Sequence, residues 1–308
     1  MHKLRLVSLL LVALVTCRRE AETAPAEPIE SAAPSVSAAA PNASASPTGQ
    51  LVNKPLLWEV STAGGKSYLF GTMHVGIEAD HLPRVVWAKI NEATTFVMEA
   101  DVSDPGAMVG MAKEAMLPAD RDLRKELGPE LWAKTVKAAG GAVPESMLAH
   151  FKPWFVVVTI TAQLMPKTQP MDASLQKKAK EEGDRLSYLE SWQEQVRMLD
   201  QAIDIEVLKD TVKNFEEEKR MAHGMHRAYL DGDAAALEKV AFEPEEMKSH
   251  PKLYDLLFFQ RNDRWLPVLQ QHLQKGGAFI AVGAAHLLGD RGLVAQLGKK
   301  GTVVQRVP

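Results

Sequence analysis

Apolar residues along this chain gather into short runs bounded by glycine, proline or charged residues. Six runs have the length and the apolar, β-branched or aromatic character of strands: residues 57–61, 67–71, 95–100, 185–190, 278–283 and 302–307. The first two, LWEVS and SYLFG, are joined by TAGGK and predict a hairpin. Between the runs apolar positions recur with helical period, predicting helices over 83–93, 104–116, 129–139, 153–164, 175–182, 191–226, 234–240, 253–273 and 292–299. Strands alternating with helices argue for an α/β domain. From about residue 101 to 274 the pattern is almost entirely helical, with one strand near Tyr188. The expected fold is therefore a mixed central sheet built from both ends of the chain, flanked by helices, with a large helical middle section.

Two of the strand-like runs end alike. Residues 67–74 read SYLFGTMH and residues 279–286 read FIAVGAAH: an apolar strand, a glycine, two small or apolar residues, then histidine. A single Gly-x-x-His carries little information in a chain with nine histidines, but two in the same context are a pattern. Glycine at a strand end permits a tight turn or a close backbone approach. The histidine then falls beyond the carboxyl end of the strand, the edge where open α/β sheets form ligand sites. A third run, TFVMEAD, ends in Glu99, Ala100 and Asp101 and reaches the same edge. An unpaired carboxylate is costly there. Imidazoles from His74 and His286 with the carboxylate of Glu99 suit a divalent cation such as zinc, manganese or cobalt. The bland alternatives are two hydrogen-bonded structural histidines and an ion pair between Glu99 and an arginine, Arg261 among them.

Composition narrows the chemistry. Net charge is −3 with no basic stripe carrying interleaved aromatics, so no nucleic-acid partner is expected. Cys17 is the only cysteine, which leaves no disulfide within the chain, no Cys-rich zinc site and no cysteine nucleophile in the folded part. There is no Gly-x-Ser-x-Gly and no glycine-rich phosphate loop. The pair His223 and His226 in HGMH lies within EEEKRMAHGMHRAYLDGD, which reads as a solvated helix face.

The N-terminus, MHKLRLVSLLLVALVTC, places Lys3 and Arg5 before an apolar stretch over residues 6–15, the form of a secretory signal. Leu14-Val15-Thr16-Cys17 resembles a bacterial lipobox, with Thr16 where Gly or Ala is usual. The chain therefore divides into a lipoprotein signal peptide, 1–17, ending at Cys17 as the lipidation site; a disordered Ala/Pro/Ser linker, 18–54; and a folded domain, 55–308. The expected location is exported and lipid-anchored to a bacterial membrane, on its periplasmic or cell-surface side.

The order LWEVS, YLFGTMH, LP, FVMEAD, FKPWF, MD..L, YLES...Q...LD, RN..W and AVGAAHLLG..GL is similar to the TraB/GumN family, and the likeness runs over nearly all of 55–308. That family is related to the Tiki metalloproteases and, more distantly, to an erythromycin-esterase-like and haem-binding ChaN-like superfamily. The resemblance implies an α/β domain with a metal site between its halves. His74, His286 and Glu99 match the motif residues, Arg261 and Asn262 the family's Arg-Asn pair, and Asp172 and Glu190 positions usually filled by acids. Asp172 also suits a cap for a helix beginning near Ala173, and Glu190 and Asp101 suit a supporting role around the ligands. Arg261 and Asn262 lie among apolar helical positions and also suit a solvated face. The Tiki likeness leans toward manganese or cobalt. The implied activity is hydrolysis of a peptide or related acyl bond by a metal-activated water, with Glu99 as ligand or base and Arg261 facing developing negative charge. The alternative is a non-catalytic lipoprotein using the same scaffold to bind haem, metal or another ligand. Peptide or protein is the expected substrate, and the membrane is a partner through the lipid alone.

Overall fold

The computed structural model describes residues 51–101 and 103–308; the signal peptide, Cys17 and the linker as far as residue 50 lie outside the described residues. All six expected strands are present: β1 (Leu57–Thr62), β2 (Gly65–Thr72), β3 (Thr95–Met98), β4 (Arg185–Tyr188), β5 (Ala278–Gly283) and β6 (Val303–Arg306). They form one mixed sheet in the order β4-β3-β5-β2-β1-β6. Strands β4, β3, β5 and β2 run parallel. β1 is antiparallel both to β2, completing the predicted hairpin, and to β6. Gly65 allows the tight hairpin turn because its φ of 119° is open to glycine.

Strand β5, from the far end of the chain, inserts between β2 and β3, and every residue in it is buried. Its run AFIAVG has no polar alternation, as a parallel strand covered on both faces requires. Phe279 stacks on Phe96 of β3 at 5.6 Å and leans on Phe70 of β2 at 5.8 Å. All three rings are fully buried, each stabilising the sheet by roughly 1.5–3 kcal/mol.

Four helices position the site: α1 (Met171–Glu182), α2 (Trp192–Ala202), α3 (Phe215–Asp231) and α4 (Gln260–Lys275). The single helix expected over 191–226 is three. Ser191 and Glu194 form a capping box that starts α2. The Asp204 side chain accepts from the amides of Glu206 and Val207 and starts a separate helix, Ile205–Lys213. Asn214 breaks the path again, and α3 then runs past 226 until Gly232, at φ 66°, ends it. The helix expected over 253–273 contains a π turn at Asp255–Phe259. The helix expected from 175 begins at Met171, so Asp172 lies inside its first turn and does not cap it.

Val52 and Asn53 already dock on this body, donating their amides to His81 O at 3.0 Å and Leu230 O at 2.7 Å. Among the described residues no helix is long and apolar enough to cross a membrane.

Candidate functional site at the carboxyl edge of the sheet

Register carries the two Gly-x-x-His elements to one place. Gly71 of β2 pairs with Val282 of β5, and Thr72 with Gly283, so both histidines leave the sheet side by side. On the other flank Met98 of β3 aligns with Ala281 of β5 and with Tyr188 of β4, which brings Glu99 and Glu190 to the same edge. Gly71 is glycine because of this closeness: a Cβ there would lie 3.0 Å from Ala284 Cα, 3.1 Å from Ala284 Cβ and 3.2 Å from Leu56 Cβ. His74, Glu99, Asp172, Glu190, Arg261, Asn262 and His286 are all buried.

Arg261 is the hub. Its Nη2 donates to Glu99 Oε2 at 2.5 Å and Glu190 Oε1 at 2.6 Å, its Nε to Glu190, and its Nη1 to Leu257 O at 3.2 Å and His286 Nε2 at 3.0 Å. Burial works against the guanidinium charge, but Glu190 and Glu99 outweigh it and raise the Arg261 pKa. Of the two roles open to Arg261 and Asn262 in sequence, the solvated face is ruled out by their full burial. The wide π turn before α4 leaves Leu257 O to the Arg261 side chain. Trp265 closes the cluster, with its indole Nε1 donating to Glu190 Oε2 at 3.2 Å and its ring 4.5 Å from the Arg261 guanidinium.

The neutral tautomer of His286 follows from its neighbours. Arg261 can only donate, so His286 Nε2 accepts; His286 Nδ1–H then donates to Asn262 Oδ1 at 2.7 Å. Asn262 Nδ2 in turn donates to His286 O and to Arg291 O, fixing which way its amide points. Burial, the Arg261 charge and His74 together push the His286 pKa well below 6.5, so the ring is neutral.

His74 is held from α1. Its Nδ1 bonds Asp172 Oδ2, while Asp172 Oδ1 accepts from Thr72 Oγ1 at 3.1 Å. Four residues along the same helix, Gln176 donates to Asp101 Oδ1 at 2.8 Å and to Tyr188 Oη at 2.9 Å. Asp101 therefore lies beside the site, in a network with Ser103 and Tyr188. Burial pushes the Asp101 pKa up, but hydrogen bonds from Gln176 and Ser103 outweigh it and leave the pKa below its usual value. Burial and Asp101 push Tyr188 up to about 12.

The predicted ligands fit a divalent cation in part. Each imidazole has Nδ1 bonded to an oxygen acceptor, the way metal-ligating histidines are commonly held, so Nε2 is the nitrogen that a cation would use, and on His286 that atom accepts from Arg261. Glu99 is engaged otherwise. Its Oε1 accepts from the Gly283 amide at 2.7 Å, its Oε2 from Arg261 and from Gln195 at 3.3 Å, and its Oε1 is 3.9 Å from His286 Nε2. Among the described residues no group of three or more His, Cys, Asp or Glu side chains is arranged to hold an ion. A cation on His286 Nε2 would take the place of the Arg261 donor.

Gln195 and Trp265 are letters of the pattern YLES...Q...LD and RN..W; in sequence Trp265 reads as core packing and Gln195 carries no local signal, yet both reach the buried carboxylates. His223 is exposed, as expected, but His226 is half-buried against the His74 loop. Compared with known proteins, the chain is matched over residues 56–306 by the model of the TraB/PrgY/gumN family. No curated protein and no solved structure matches it.

Proposed function

Starting from a chain that belongs to the TraB/PrgY/gumN family, we propose that it is a metal-dependent, peptidase-like hydrolase, exported and lipid-anchored through Cys17. The observation that carries this reading is the pair of histidines delivered to one edge by neighbouring parallel strands, each oriented through an Nδ1 bond to an oxygen acceptor, so that Nε2 is the nitrogen that would coordinate. His74 and His286 would hold manganese, cobalt or zinc. When bound, such an ion lowers the pKa of a coordinated water toward neutrality.

The chain's own residues have separable roles. Asp172 keeps the His74 proton on Nδ1, and Asn262 does the same for His286, so neither ring needs to change tautomer in order to coordinate. Glu99 and Glu190 hold Arg261 beside His286. Its permanent charge favours negative charge developing on a substrate acyl oxygen, in a setting from which water is largely excluded.

Metal content tests the reading directly. Elemental analysis of the purified protein is expected to give about one equivalent of manganese, cobalt or zinc per chain, lost in the His74→Ala/His286→Ala double variant. Equal content in both proteins overturns the ligand assignment. Glu99→Gln should keep the fold and abolish peptide hydrolysis. A second reading, a non-catalytic binding lipoprotein, is favoured by the burial of His74, Glu99, Arg261 and His286; it gains the field if metal-loaded wild type cleaves no member of a peptide library.

A further inference from the structure

The loop carrying His74 is tied at both ends to one helix far away in sequence. Tyr229 Oη donates to Gly71 O at 2.7 Å and His226 Nε2 donates to Gly76 O at 2.9 Å. The two side chains lie three residues apart on α3 and so share a face. Gly76 is held from the other direction as well, its amide donating to Thr168 Oγ1 at 2.9 Å. With φ at 92°, and with Met165 Cε 2.7 Å from where a Cβ would sit, Gly76 can take only this path if the loop is to close against α3. Between the two ties His74 O accepts from the Met171 amide at 3.2 Å, and its ring meets Asp172. The second motif is secured in a parallel manner, by Asn262 Nδ2 on His286 O.

We propose that His226 is a positioning residue for His74: from α3, with Tyr229, it fixes the backbone of the Gly71–Gly76 loop so that the His74 ring stays against Asp172. The proposal rests on the reading that His74 works in the site. His226 suits the task for two physical reasons. A carbonyl can only accept, so Nε2 carries the proton and the bond has one direction. Burial, with a smaller contribution from nearby His223, lowers its pKa, so the ring adds no charge beside the site near neutral pH. The exposed His223 shares none of this contact. HGMH is therefore one working histidine and one surface histidine, not a paired ligand motif.

The test reads His74 itself, on the intact protein, by proton NMR. A buried imidazole Nδ1–H bonded to a carboxylate gives a far-downfield resonance, and its assignment is checked by its loss in His74→Gln. His226→Leu should shift or broaden that resonance and reduce metal affinity or turnover roughly 10- to 100-fold, with the melting temperature moving by no more than about 4 °C. His226→Gln, which keeps an N–H donor of similar reach, should restore the resonance. Tyr229→Phe, which removes one hydroxyl and no packing, should act in the same direction as His226→Leu, and it decides the matter if the leucine variant fails to fold. A resonance unchanged in His226→Leu, or in Tyr229→Phe where that variant decides, overturns the proposal, as does a wild type with no such resonance. A wild type that has the resonance but binds no metal and cleaves nothing refutes the proposed function and leaves the positioning role standing.

Discussion

Arg261 has five N–H groups, and the five are matched by Glu99, Glu190 twice, Leu257 O and His286. No other side chain can serve four different residues from one planar fork, since lysine offers three donors from a single point. Removing the guanidinium leaves two buried carboxylates without the buried counter-ion they share. Arg261→Gln is therefore expected to lose about 3–5 kcal/mol of folding stability, read as a fall in the urea midpoint at constant slope. The neighbouring Arg264 makes a useful contrast. It is half exposed and its Nη2 stands 3.8 Å from Glu190, so Arg264→Gln should cost no more than about 1 kcal/mol. Similar losses in the two variants would mean that the buried cluster is not what holds α4 against the sheet.

At the scale of elements, the site depends on how closely β2 and β5 approach. Gly71→Ala sets a Cβ against the Ala284 backbone and against Leu56 Cβ, neither of which is the flexible end of a long side chain. The strands must part by a few tenths of an ångström, at a cost of about 1–3 kcal/mol, and the His74–His286 separation changes with them. Metal affinity should fall further than stability does, as titration calorimetry beside thermal melts would show. Gly298→Ala, in a helix with open space around the new methyl, should be neutral or stabilising. The sequence announced these strands because apolar runs bounded by turn residues are local signals. It announced His74, Glu99 and His286 because the repeated motif set them at equivalent strand ends. The helical period does not reveal the interruptions at Asp204, where a side-chain cap overrides it, and at Asn214, where the backbone leaves the helical region. Nor did it reveal the π turn before Arg261, since i to i+5 bonding has no periodic signature. The cap role open to Asp172 and the surface reading of His226 fail for another reason: their partners lie 98 and 150 residues away, and nothing local distinguishes a cap or a surface histidine from a residue that reaches across the fold.

For the whole molecule, a chain with one cysteine has no internal disulfide to hold it, so stability rests on the core and on the buried polar groups, and these answer to pH. His226, His250, His272 and His286 all have pKa values below 6.5, in each case because burial disfavours the charged ring. In the unfolded chain the same rings titrate near 6.5. As pH falls through that value the unfolded state takes up protons that the native state refuses, and linkage then favours unfolding. The stabilisation is complete above about pH 6.5 and is lost progressively as pH drops toward the folded values. His286, fully buried and held neutral also by the Arg261 charge, should contribute the largest share of that loss. The other three add to it in proportion to how far each is held neutral. Urea midpoints of metal-free protein should therefore fall measurably between pH 7.5 and pH 5.5, and His272→Gln should flatten that slope. The protein is stripped with chelator for this measurement, because competition between protons and any ion held by His74 and His286 would steepen the same limb. A midpoint that stays level over this range would mean that the buried rings accept protons in the folded state, and the neutral tautomer assigned to His286 would fail with it.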